Sequence, residues 1–72
     1  MDENKESIIE FLSESLKLTR QFSFISGIRY RKEGSKEYVY IVAAGKTIGQ
    51  INVTGDSGLA MLYDVIKALK EM

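Results

Sequence analysis

Residues 22–53, FSFISGIRYRKEGSKEYVYIVAAGKTIGQINV, decide the fold. From residue 22 to residue 31, Phe22, Phe24, Ser26, Ile28 and Tyr30 alternate with Ser23, Ile25, Gly27, Arg29 and Arg31. A period of two is that of a strand, whose successive side chains point to opposite faces. Lys32-Glu33-Gly34-Ser35 is polar and carries a glycine, as a hairpin loop requires. Tyr38-Val39-Tyr40-Ile41-Val42 is dense in the β-branched and aromatic residues that favour strands. Ala44-Gly45-Lys46 then turns the chain into a third strand over residues 47–53. Connections this short predict a three-stranded antiparallel meander, because a parallel return needs a dozen or more residues.

Register follows from the loops. With a four-residue loop at 32–35 and a three-residue loop at 44–46, Phe24, Ile28, Val39, Ile41, Ile51 and Val53 share the expected core face. The reverse face would carry Ile25, Arg29, Arg31, Tyr38, Tyr40, Val42, Ile48, Gln50 and Asn52. A slip of one residue in either hairpin would exchange these sets.

Amphipathic helices flank the meander. Over residues 5–18, Ile8, Ile9, Leu12 and Leu16 fill one arc at 100° per residue, with Phe11 and Leu18 at its edge and Glu10, Ser13, Glu14 and Lys17 opposite. Thr54, Asp56 and Ser57 are N-cap candidates for a second helix over residues 58–71. There Leu59, Leu62, Tyr63, Ile66 and Leu69 form one stripe, and Met61, Val65, Ala68 and Met72 an adjoining one. A helix on a single sheet needs an apolar stripe of little more than about 100°. The surplus marks Met61, Val65, Ala68 and Met72 as a candidate self-association surface. The expected fold is therefore a single α+β domain over residues 1–72, in the order α-β-β-β-α. Both helices lie on one face of the sheet, residues 1–4 are frayed, and Leu12, Ile28, Ile41, Ile51, Leu62 and Ile66 are deeply buried.

Composition removes several classes of function. Among 72 residues there is no cysteine and no histidine. Disulfides, thiolate ligands, thiol nucleophiles and imidazole bases are thus excluded. Ten basic and ten acidic residues give zero net charge, which argues against strong nonspecific attraction to nucleic acid or an anionic membrane. The acidic start and the lack of a long apolar run suggest neither a secretion signal nor a membrane span, so the expected location is cytoplasmic.

Short motifs add little chemistry. Gly45-Lys46-Thr47 matches the end of a phosphate-binding loop, but Tyr40 stands where that pattern needs a glycine, and a strand follows where it needs a helix. Gly55-Asp56-Ser57-Gly58 copies the tetrapeptide around a protease serine in a chain with no histidine base, so helix capping is the better reading. Glu6, Glu10 and Glu14 recur every four residues on the polar side of the first helix, where a solvated face accounts for them. No catalytic residue, cofactor site or metal site is expected.

The α-β-β-β-α order, and the run Gly45-Lys46-Thr47-Ile48-Gly49 before a capped C-terminal helix, resemble a double-stranded-RNA-binding domain. In that family the second helix opens with a lysine pair that grips phosphates. Gly58 and Leu59 stand at the matching positions, and the histidine-bearing loop between the first two strands is missing. The resemblance therefore implies a fold and not duplex binding.

The expected function is a small non-enzymatic interaction or regulatory module that engages a protein partner and self-associates, as a dimer in preference to larger assemblies. Arg29, Arg31, Tyr38, Tyr40, Gln50 and Asn52 are the candidate partner surface. The alternative is a single-stranded nucleic-acid binder using the same residues, since tyrosines beside arginines on an open sheet can stack bases and contact phosphates.

Overall fold

A computed structural model describes residues 4–72. Its elements are α1 (Lys5–Lys17), β1 (Gly27–Glu33), β2 (Lys36–Ala43), β3 (Lys46–Asn52) and α2 (Gly58–Lys70). The strands form an open antiparallel sheet in the order β1-β2-β3. This is the α+β meander that the hairpin spacing predicts. The fraying expected of residues 1–4 falls partly outside the described residues; Asn4, which is described, caps α1 by accepting from Ser7 N at 3.1 Å.

Both hairpin turns are tighter than the loop lengths assumed from sequence, yet the strands present the expected faces. Glu33 pairs with Lys36, leaving only Gly34 and Ser35 in the first turn. The pairing thus moves by two residues, which preserves face parity. In the second turn Ala43 pairs with Lys46, and Ala44 (φ 53°) and Gly45 (φ 76°) both adopt left-handed backbone. Two positive φ angles make a type I′ turn, whose twist suits a two-residue hairpin. A bulge then absorbs the difference. Ile41 faces Gly49 but Val42 faces Thr47, so Ile48 is the extra residue and the pairs beyond it keep the expected register.

The core gathers Ile9 and Leu16 from α1, Ile25, Ile28, Val39, Ile41 and Val53 from the sheet and its approaches, and Met61, Val65 and Leu69 from α2. Ser13 Oγ accepts from Ile28 N at 3.0 Å, which holds α1 along the free edge of β1. Ser57 caps α2 by accepting from Ala60 N at 3.1 Å.

Three sequence expectations are corrected. The first strand does not begin at residue 22: Ser23 N donates to Arg20 O and Ile25 N to Phe22 O, so this stretch turns. Alternation therefore fails there; Ile25 is buried and Phe24 is 54% exposed, the reverse of the expected assignment. Second, Leu12, Ile51 and Leu62 are only half-buried, and Ile66 is exposed. Third, α2 turns its other stripe to the sheet. Met61 and Val65, expected on a free self-association surface, are fully buried. Ala68 is half-buried, and the methyl of Met72 packs 3.2 Å from where a Cβ on Gly49 would stand. Buried Gly58 heads the inward Met61–Val65–Leu69 stripe.

Candidate interaction surface

The outer face of the sheet collects the partner residues expected from sequence. Arg31, Tyr38 and Asn52 form one cross-strand row, and Arg29, Tyr40 and Gln50 the next. The two arginines and two amides are exposed, while the tyrosines are half-buried. Their ring centroids lie 6.2 Å apart at a 40° tilt. Two contacts limit what this face offers. Arg31 Nε lies 3.5 Å from Glu33 Oε2, and Asn52 Oδ1 accepts from Thr54 N at 2.9 Å.

Tyr30 and Glu37, one residue out of phase with that face, belong to a polar cluster between α1, the sheet and the loop before α2. Tyr30 Oη donates to Glu37 Oε2. Lys5 Nζ donates to Glu37 Oε1 at 3.0 Å and to Val53 O at 3.1 Å, and Gly55 N donates to Glu37 Oε1 at 3.2 Å. The hydrogen bonds from Tyr30 and Lys5 hold the Glu37 carboxyl down at about 2, against the opposing effect of burial. Burial, then the Glu37 hydrogen bond and charge, push the Tyr30 phenol up to about 12. Asp56 lies beside this group. Its carboxyl is raised, first by hydrogen bonding with Asp64, then by burial and by the Asp64 charge. The sequence does contain a signal for this cluster: Glu37 stands at an inward position of β2, in phase with Val39 and Ile41, where an isolated charge would be costly. Among the described residues, no three acidic side chains gather closely enough to hold a metal ion. The cluster uses its charges on one another, which is the arrangement of a structural clasp.

The helical layer presents a different outer surface. With Met61, Val65 and Leu69 turned inward, α2 leaves Leu59, Tyr63 and Ile66 to solvent, and α1 leaves Phe11. Phe11 and Leu59 are each 77% exposed, and Tyr63 67%. Between the helices runs a groove whose walls are Ile8, Phe11, Leu12, Leu62 and Ile66, with Ser7 and Ser15 its polar members. Isolated exposed apolar side chains are ordinary; here Phe11, Leu59, Tyr63 and Ile66 all belong to the two-helix layer. Sequence reasoning recognised that α2 carries too much apolar surface for one sheet, but assigned the surplus to the wrong stripe.

No helix among the described residues is long and apolar enough to cross a membrane. Compared with known proteins, the chain matches no family model, no curated protein and no solved structure.

Proposed function

We propose that this chain is a non-enzymatic, cytoplasmic interaction module that docks a protein partner on the outer face of its two-helix layer. The observation that carries this reading is the apolar surface formed by Phe11, Leu59, Tyr63 and Ile66 around the groove between α1 and α2. Covering apolar surface contributes roughly 25 cal/mol per Å², and an aromatic anchor beside a groove is the usual form of a binding hot spot. The polar clasp around Glu37 supports the reading indirectly, because it fixes the N-terminal ends of both helices to the sheet and so preforms the face.

The alternative, single-stranded nucleic acid on the outer sheet face, draws on the adjacent Tyr38 and Tyr40 rings beside Arg29. It is the weaker reading because Arg31 stands beside Glu33 and the chain has no net positive charge to attract phosphates.

Photocrosslinking side chains installed at positions 11, 59 and 40 in the native host test the choice. Adducts to a protein are expected from positions 11 and 59, and the captured protein, once purified, should bind the Leu59→Glu variant at least about tenfold more weakly than wild type. Adducts confined to position 40 would sink the reading. So would tight, salt-sensitive oligonucleotide binding that Arg29→Ala and Tyr40→Ala abolish.

A further inference from the structure

The open sheet has two edges, and they differ. The edge of β3 is broken by the bulge at Ile48, which discourages pairing with another strand. β1 runs without irregularity against β2 from Gly27 to Glu33. Glu33 and Lys36 close a two-residue turn, and residues that close such a turn exchange backbone hydrogen bonds. Counting back in twos, Arg31 and Arg29 bond to β2, while Lys32, Tyr30 and Ile28 turn their backbone N–H and C=O groups to the free edge. The Ile28 amide confirms this phase, since it donates across that edge to Ser13 Oγ at 3.0 Å. Further along, the backbone groups that Tyr30 and Lys32 turn to the edge have no hydrogen-bond partner among the described residues.

A groove of about 620 Å³ lies between this edge and α1. Ser13 fixes which side of α1 forms its wall. Glu6 and Glu10 stand seven and three residues before Ser13, and Lys17 four after it, all on the same face of the helix. Lys17 sits towards the Gly27 end and lies 3.4 Å from Glu14. Glu6 and Glu10 are exposed, and neither forms an ion pair among the described residues. From Glu6 to Lys17 is about 16 Å of helix, and residues 28–32 make about 16 Å of strand, so wall and edge match in length. On the outer face of the sheet, Arg29 and Arg31 stand exposed along the same edge. Arg29 has no acidic partner among the described residues, and Arg31 lies 3.5 Å from exposed Glu33.

Donors and acceptors that alternate along a strand edge are met by one kind of occupant, another extended chain. Antiparallel pairing is the more stable arrangement. A residue directly opposite Tyr30 would exchange both hydrogen bonds with it and point its side chain to the α1 side, towards Glu6 and Glu10. The residues before and after it would point outward, beside Arg29 and Arg31. We propose that the edge of β1 binds an extended segment of a partner protein by strand addition, with a basic side chain opposite Tyr30 and an acidic one on each side of it. This groove shares no residue with the one between the helices, so it stands or falls independently of the docking reading above.

The test is a titration of the isotope-labelled full chain with the peptide Thr-Thr-Glu-Arg-Glu-Thr-Thr, acetylated and amidated at its ends, followed by nuclear magnetic resonance. Saturable shifts at the amides of residues 28–32 are expected, with a dissociation constant below about 1 mM. Hydrogen exchange at the Tyr30 and Lys32 amides should slow. Methylating the backbone nitrogen of the central arginine removes one of its two hydrogen bonds to Tyr30 and should weaken binding at least about tenfold. Glu6→Lys/Glu10→Lys should weaken binding of the original peptide by a similar factor, and replacing the peptide's arginine by glutamate should restore binding to that variant. Both substitutions lie at exposed positions, and unchanged melting by circular dichroism would confirm that the variant folds. No shift at about 2 mM peptide would overturn the proposal. So would a methylated peptide that binds as tightly as the original, binding indifferent to the charge reversal, or shifts centred on Phe11 and Leu59 in place of β1.

Discussion

Replacing Glu37 by glutamine tests the clasp that joins α1, the sheet and the loop leading to α2. The carboxylate accepts from the Tyr30 hydroxyl, the Lys5 ammonium and the Gly55 amide. Glutamine keeps the shape and one acceptor oxygen for Lys5 and Gly55, removes the charge and turns its NH2 group towards the Tyr30 hydroxyl. Lys5, whose side chain is 11% exposed, then loses the carboxylate charge it is paired with. The magnitude can be worked in two ways. Hydrogen bonds to charged groups contribute about 1.5–3 kcal/mol each, with strong non-additivity when they share an acceptor. Holding the carboxyl at about 2 against an ordinary 4.5 corresponds to roughly 3 kcal/mol at about 1.4 kcal/mol per pKa unit. The Glu37 side chain is 16% exposed, so solvent screens part of this and about 2 kcal/mol is the expected loss at pH 7. For 72 residues the whole fold is worth about 4–11 kcal/mol. The loss should therefore appear as a large shift in the urea midpoint, followed by far-ultraviolet circular dichroism.

The pH dependence gives the sharper test. Because the folded pKa of Glu37 is depressed, its contribution is fully present above the unfolded value near 4.5 and is lost as pH falls through about 2. The difference between wild type and Glu37→Gln should thus shrink to less than about half by pH 3. A loss below about 0.5 kcal/mol at pH 7, or a difference undiminished at pH 3, would refute the clasp.

Two further predictions concern α2. Met61→Ala, at a fully buried position, should cost about 2–4 kcal/mol in urea denaturation, and Ile66→Ala, at a side chain 49% exposed, less than about 1 kcal/mol; the opposite order would mean that the helix faces the other way. Asp56 has a raised folded pKa because of Asp64 and burial, so its contribution is present below its unfolded value and lost as pH rises through the raised one. Asp56→Asn should therefore raise the melting temperature at pH 7, and a lower melting temperature would show that the Asp56 charge is favourable where it stands.

Element order and sheet faces were legible before any coordinates because the signals for them are local. Gly34 and Gly45 mark the two reversals, and the alternation of Val39 and Ile41 with Tyr38 and Tyr40 assigns the inner and outer sides of β2. The register survived errors in both turn lengths for a physical reason. A two-residue shift preserves side-chain parity, and the Ile48 bulge absorbed the other discrepancy. Residues 22–25 misled because alternation can occur in a segment that turns, and only the bonds from Ser23 N to Arg20 O and from Ile25 N to Phe22 O distinguish the two.

What the sequence determined by itself was the set of elements, their order and the fact that α2 has more apolar surface than one sheet can cover. It could not determine which stripe of α2 turns inward. Met61-Val65-Leu69 and Leu62-Ile66 are comparably apolar and lie about 80° apart around the helix, so periodicity is nearly indifferent between them. The tertiary structure decided through packing: Met61, Val65 and Leu69 join Ile41 and Val53 in one core cluster, and the Met72 methyl lies against the position of Gly49. The same choice put Leu59, Tyr63 and Ile66 on the outside, and with them the surface on which the proposed function rests.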